Sequence, residues 1–146
     1  MLKIDFYVMN DDPGTSRLQV ACKLIEKAYA QKHQIYIHTD NELGANEMDE
    51  LLWTYRDDSF LPHHITGDGP EPAPPIQIGF SEPAAKHRDI MLNLSAGVPV
   101  FHTQFQRILE IVPADSLLQE QARERYRFYR QLNLPIQTHK LQAVEF

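Results

Sequence analysis

The chain has 146 residues, 42% hydrophobic and 23% charged, ordinary values for a globular domain that exclude a disordered chain or a coiled coil. A net charge of -6 excludes broad electrostatic binding to nucleic acid, which depends on Lys and Arg neutralising phosphates. No apolar run approaches the roughly 18–20 residues that a membrane-spanning helix needs.

The length suits one domain over residues 1–146, and neither a repeat nor a second domain boundary is visible. Cys22 is the single cysteine, so no internal disulfide can form. Asp5 stands where a signal peptide would have its apolar core, and a cytoplasmic, reducing setting is expected.

In chain order, residues 3 to 9 are β-branched and aromatic and predict a first strand, ended by the turn 10–14. From Thr15 or Ser16 to about Lys32, Leu18, Ala21, Cys22, Ile25, Ala28 and Tyr29 recur at the spacing of one helical face. Residues 34 to 39 predict a second strand, and the β-α-β order implies parallel strands. A second helix is expected over 41–55, with Met48, Leu51, Leu52 and Tyr55 on one arc.

Residues 56–75 carry too many Pro and Gly breakers for an element interior and read as a loop. Strands follow at 76–80 and 89–94, then a short helical turn near 100–105 and a fifth strand over 107–112, stopped by Pro113. Asp115 or Ser116 caps a last helix to about Leu132, and the tail from Leu134 folds back on the body. This order predicts a three-layer α/β fold with a mostly parallel central sheet.

Catalytic patterns are sparse. The first strand-to-helix turn has one glycine and two acids, Asp11 and Asp12, so neither a dinucleotide fingerprint nor a P-loop is present. His63 and His64 are adjacent and lack Cys or Glu at ligand spacing, which reads as polar loop and not metal site. Cys22 lies on an apolar helical face, as a small core hydrophobe.

Two stretches look like binding surfaces. Trp53 points away from the apolar arc of its helix, and Phe60, Leu61 and Pro62 follow in the loop, making an aromatic patch of the kind that anchors protein interfaces. The competing reading is that the C-terminal tail covers Trp53 and makes it core. On the last helix Arg123, Arg127 and Arg130 form one stripe beside Tyr126, suited to carboxylates, with a plain solvated face as the alternative. Leu118, Ala122, Tyr129 and Leu132 form the opposite stripe, and Arg125 lies near it, as a structural ion pair. Residues 121–132 hold four Arg against Glu124, whereas 40–58 hold seven acids against Arg56.

The runs Met48-Asp49-Glu50-Leu51-Leu52-Trp53, Asp58-Ser59-Phe60-Leu61-Pro62-His63 and Ala122-Arg123-Glu124-Arg125-Tyr126-Arg127 carry a likeness. Asp5-Phe6-Tyr7, Gly67-Asp68-Gly69-Pro70, Arg88-Asp89-Ile90 and Val112-Pro113 extend it nearly end to end. The chain resembles the chi subunit of the bacterial DNA polymerase III clamp loader. That resemblance implies a Rossmann-like fold with no cofactor, nucleotide, metal or catalysis. It implies docking of the psi subunit at Trp53, Phe60, Leu61 and Pro62. It also implies binding of the acidic C-terminal tail of single-stranded DNA-binding protein (SSB) at Arg123, Tyr126 and Arg127, with Val112 as a wall of the pocket. Members can also pair with a helicase-like protein through the psi surface. Leu118 and Gln119 stand one turn before Arg123, where members can carry lysine, so tail binding is expected to be weaker or to be supported by Arg130 or Lys140 instead. A different class, a small α/β enzyme for a phosphorylated or nucleotide substrate, would use Asp11, Asp12 and Asp40 near strand ends.

Overall fold

The computed structural model describes residues 2–9, 16–55, 61–65, 75–83 and 89–141. Among these residues seven strands form one sheet: β1 (Lys3–Val8), β2 (Ile35–His38), β3 (His63–Ile65), β4 (Ile76–Gly79), β5 (Ile90–Asn93), β6 (Arg107–Val112) and β7 (Ile136–Lys140). Their spatial order is β3-β4-β2-β5-β6-β1-β7, and every pairing is parallel. The helices are α1 (Arg17–Ala30), α2 (Glu42–Thr54) and α3 (Ser116–Gln131), with a 3-10 turn at Val100–Gln104.

Each helix begins where a short oxygen side chain satisfies free backbone N–H groups. Ser16 and Gln19 form a reciprocal capping box on α1; Gly44 N–H donates to Asn41 Oδ1 at 2.9 Å on α2, and Leu118 N–H to Asp115 Oδ1 at 3.0 Å on α3. Two residues with positive φ, Lys32 (67°) and Asn133 (57°), turn the chain out of α1 and α3.

The side chains of a strand alternate between faces, and the core divides accordingly. On one face Ile35, Ile37, Ile78, Leu92 and Leu109 pack with Val20, Leu24 and Ile25 of α1 and Met48 and Leu52 of α2. On the other, Ile4, Phe6, Tyr36, Met91 and Ile108 pack with Phe101, Phe105 and Tyr129. The result is the three-layer, Rossmann-like α/β architecture, with the sheet wholly parallel.

Two strands were not read as such from the sequence. His63–Ile65 was expected to be polar loop, yet it pairs with β4 (His63 opposite Ile76), and His63 is buried. Three residues set among prolines and glycines are too few for a visible period. The tail was expected to fold back; it does so as β7, in register with β1 from Ile4 opposite Ile136 to Val8 opposite Lys140. Leu132, expected in the buried stripe, is 46% exposed, because α3 ends one residue before it.

Candidate protein-binding surfaces

A buried polar cluster sets the rotation of α3. Glu110 on β6 is wholly buried and accepts from Arg125 Nε (2.7 Å), Tyr129 Oη (2.6 Å) and Asn93 Nδ2 (3.0 Å). Arg125 also donates to the Ala96 carbonyl at 3.0 Å, so the ion pair expected for Arg125 is present and its polar atoms are shared. Burial, with Glu110 adjoining, raises the Tyr129 pKa well above its ordinary range. With Ala122, Arg125 and Tyr129 pointing inward, the flank carrying Gln119, Arg123 and Tyr126 faces the neighbouring strands β1 and β7.

That flank walls a concavity of about 230 Å³. Phe6, Val8 and Val112 form an apolar floor, Thr138 of β7 closes one side, and Gln119, Ala122, Arg123 and Tyr126 close the other. Tyr126 is held in place by Phe6, edge to face at 5.4 Å. Val112, Arg123 and Tyr126 therefore come together as the sequence suggested, while Phe6, Val8, Gln119 and Thr138 were missed. Nothing local in the chain marks residues from β1 and β7 as neighbours of a helix more than a hundred positions after β1.

Arg127 and Arg130 do not line the concavity. Arg127 pairs with Glu124 and lies 3.9 Å from Glu120, and Arg123 lies 3.5 Å from Glu120. Glu120 falls just outside the window in which the arginines were counted, so the helix face is less basic than that count implied. Spacing of three between Glu120 and Arg123, and between Glu124 and Arg127, was the available signal. Arg130 donates to Tyr126 Oη at 3.3 Å and sits 5.8 Å from its ring centroid.

At the far end of the sheet Trp53 is 55% exposed, as helical phase predicted. The described part of the tail, to Leu141, lies at the opposite sheet edge and does not cover Trp53. The indole lies against His63, with ring centroids 4.5 Å apart and the planes tilted by 49°. His63 Nε2 in turn contacts the Asp49 carbonyl at 3.2 Å and its carboxylate at 3.4 Å. Leu61 is 3% exposed and belongs to the core beneath α2, while Pro62 is half-buried beside it. Phe60 lies outside the described residues.

Asp40 lines a separate concavity of about 170 Å³ with Arg17, Asn41 and Glu47, beyond the ends of the strands. Its carboxylate accepts from the Ala96 N–H at 3.0 Å, so it is committed to joining two loops. Asp11 and Asp12 lie outside the described residues. Among the described residues no group of three His, Cys, Asp or Glu could hold a metal, and no helix is long and apolar enough to cross a membrane. Cys22 is buried in the core, and burial, reinforced by Glu26, pushes its thiol up to about 12.

The architecture defines a Rossmann-like α/β protein with two exposed features, the indole of Trp53 near one sheet edge and the apolar concavity rimmed by Arg123 near the other. The family model described as DNA polymerase III chi subunit, HolC, matches residues 1–137. The chain is 38% identical over 144 residues to DNA polymerase III subunit chi of Pseudomonas aeruginosa, covering 99% of this chain and all of that one. It is 30% identical to the subunit of the same name from Escherichia coli, over 89% of this chain and 92% of the relative. For Haemophilus influenzae the figures are 31%, 86% and 88%. The chain belongs to the DNA polymerase III chi subunit family.

Proposed function

We propose that this protein is a non-catalytic adaptor of the replication machinery, joining the clamp loader, through the psi subunit, to the acidic C-terminal tail of SSB. The observation that carries the reading is the concavity between α3 and the β1 and β7 strands. Its apolar floor suits a terminal apolar side chain, and Arg123 at its rim suits the free carboxylate. Gln119 beside it is uncharged, so Arg123 is the main charged anchor, with Arg127, Arg130 and Lys140 contributing through the surrounding field.

The second partner surface is Trp53, beside the buried His63 and above Leu61, with Pro62 near by, and Phe60 is assigned to it from the sequence alone. Psi is its proposed occupant, and a helicase-like protein would compete for the same residues. The work is proposed to take place in the cytoplasm, without a cofactor, a metal or strong direct contact with nucleic acid. The enzymatic alternative is left with Asp40 alone among the described residues, already bonded to Ala96.

Titration of a labelled acidic tail peptide tests the first surface. Arg123→Ala is expected to weaken binding roughly tenfold to a hundredfold, the equivalent of about 1.5–3 kcal/mol for a charge-assisted hydrogen bond. Unchanged affinity would remove the assigned site. For the second surface, Trp53→Ala is expected to abolish co-purification of psi with the fold intact, and undiminished co-purification would move that interface elsewhere.

A further inference from the structure

The two edges of the sheet are unlike. β3 is three residues long, a length that offers little to a pairing strand, whereas β7 has five residues, no proline and an unbroken register with β1. β7 spends its hydrogen bonds on one side: Ile4 N–H donates to the Pro135 carbonyl and Leu141 N–H to the Val8 carbonyl, both at 2.9 Å. In a parallel ladder the bonded residues alternate, so Pro135, Gln137, His139 and Leu141 face β1. The N–H and C=O groups of Ile136, Thr138 and Lys140 then point outward, and among the described residues no strand stands beyond β7. Gln137, Thr138 and Lys140 are exposed, which leaves this edge accessible.

Thr138 belongs both to this edge and to the wall of the concavity under α3. We propose that an extended acidic peptide seated by its terminal residue in that concavity adds its preceding segment to β7 as an eighth, hydrogen-bonded strand. This rests on the tail-site reading and says how the rest of the peptide is held. The pocket floor lies on β1, so an added strand would lie two spacings of about 4.8 Å beyond it, and with about 3.3 Å per extended residue at least three residues carry the chain from pocket to edge. The cations beside that path suit acidic residues: Arg123 at the pocket, Arg130 over Tyr126 and Lys140 on β7 itself. Backbone pairing would hold the segment whatever its side chains, with the terminal pocket supplying selectivity.

The test is a titration of the full chain with a short Asp-rich synthetic peptide ending in a free phenylalanine carboxylate, with single amide-to-ester replacements walked along it. Strand addition predicts alternation: esters at every second position lower affinity about tenfold, and those between have no effect. In the complex, amide exchange should slow at Thr138 and Lys140 and stay as it was at Gln137 and His139, which already bond β1. Full affinity for every ester, with unchanged exchange at Thr138 and Lys140, overturns strand addition and leaves the tail site standing. A peptide that does not bind at all overturns both.

Discussion

Arg123 and Arg125, two positions apart on α3, illustrate how burial sets the consequence of a substitution. Arg123 is exposed and its ion pair, with the exposed Glu120, is long at 3.5 Å, so Arg123→Ala should leave the unfolding midpoint within experimental error while weakening the peptide. Arg125 is buried against Glu110, and truncating it strands a carboxylate in the core. Arg125→Ala is expected to cost about 3–5 kcal/mol in urea unfolding. A midpoint unchanged in Arg125→Ala would contradict the buried pair. Cys22, with its thiol pushed up to about 12 by burial, should resist a thiol reagent in the native protein and react at the rate of global opening. Its core role was legible from helical phase alone, because an apolar face tells which way a helix turns.

At the scale of elements, β7 is secured by one side chain of β1. Asp5 accepts from Arg107 Nε at 2.7 Å and contacts His139 Nε2 at 2.9 Å, while His139 stacks on Tyr7 with centroids 4.7 Å apart. Burial acts to raise the Asp5 pKa, but the hydrogen bonds from His139 and Arg107, helped by their charges, outweigh it and lower the pKa below the usual 3.8. A carboxylate held lower in the folded state contributes stability that is present above 3.8 and lost as pH falls through the folded value. Asp5→Asn should therefore flatten the acid limb of the stability profile, and it should raise amide exchange in β7 more than in β5. Equal acid sensitivity in the variant would rule the cluster out as its source. The strands β1, β2, β4, β5 and β6 were legible because apolar residues run through them. β7, with the sequence Ile-Gln-Thr-His-Lys, was not, since an edge strand half open to water carries no such run.

Over the whole molecule, the strand order places Trp53 near the β3 edge and the concavity near β1 and β7. β3 and β1 are five strand spacings apart, roughly 24 Å in the plane of the sheet, and α2 and α3 cover opposite faces. Partners at the two surfaces should then bind together without mutual influence. Peptide affinity measured with psi bound, or in Trp53→Ala, is expected to match that of the free wild type within about 0.5 kcal/mol. A larger change would mean that the surfaces are coupled through the sheet.

The sequence by itself determined the layers, the parallel sense of the sheet, the helix caps, the outward face of Trp53 and the likeness to chi subunits. All of these depend on local period or on order along the chain. Only the tertiary structure decided that β7 closes the sheet beside β1, that Phe6, Val8 and Thr138 meet Arg123 and Tyr126, and that Glu110 fixes the rotation of α3. Those contacts join residues separated by up to about the full length of the chain, where sequence spacing carries no information. What brings them together is the burial of two apolar faces on one sheet, which the pattern announces without saying which strand will stand next to which.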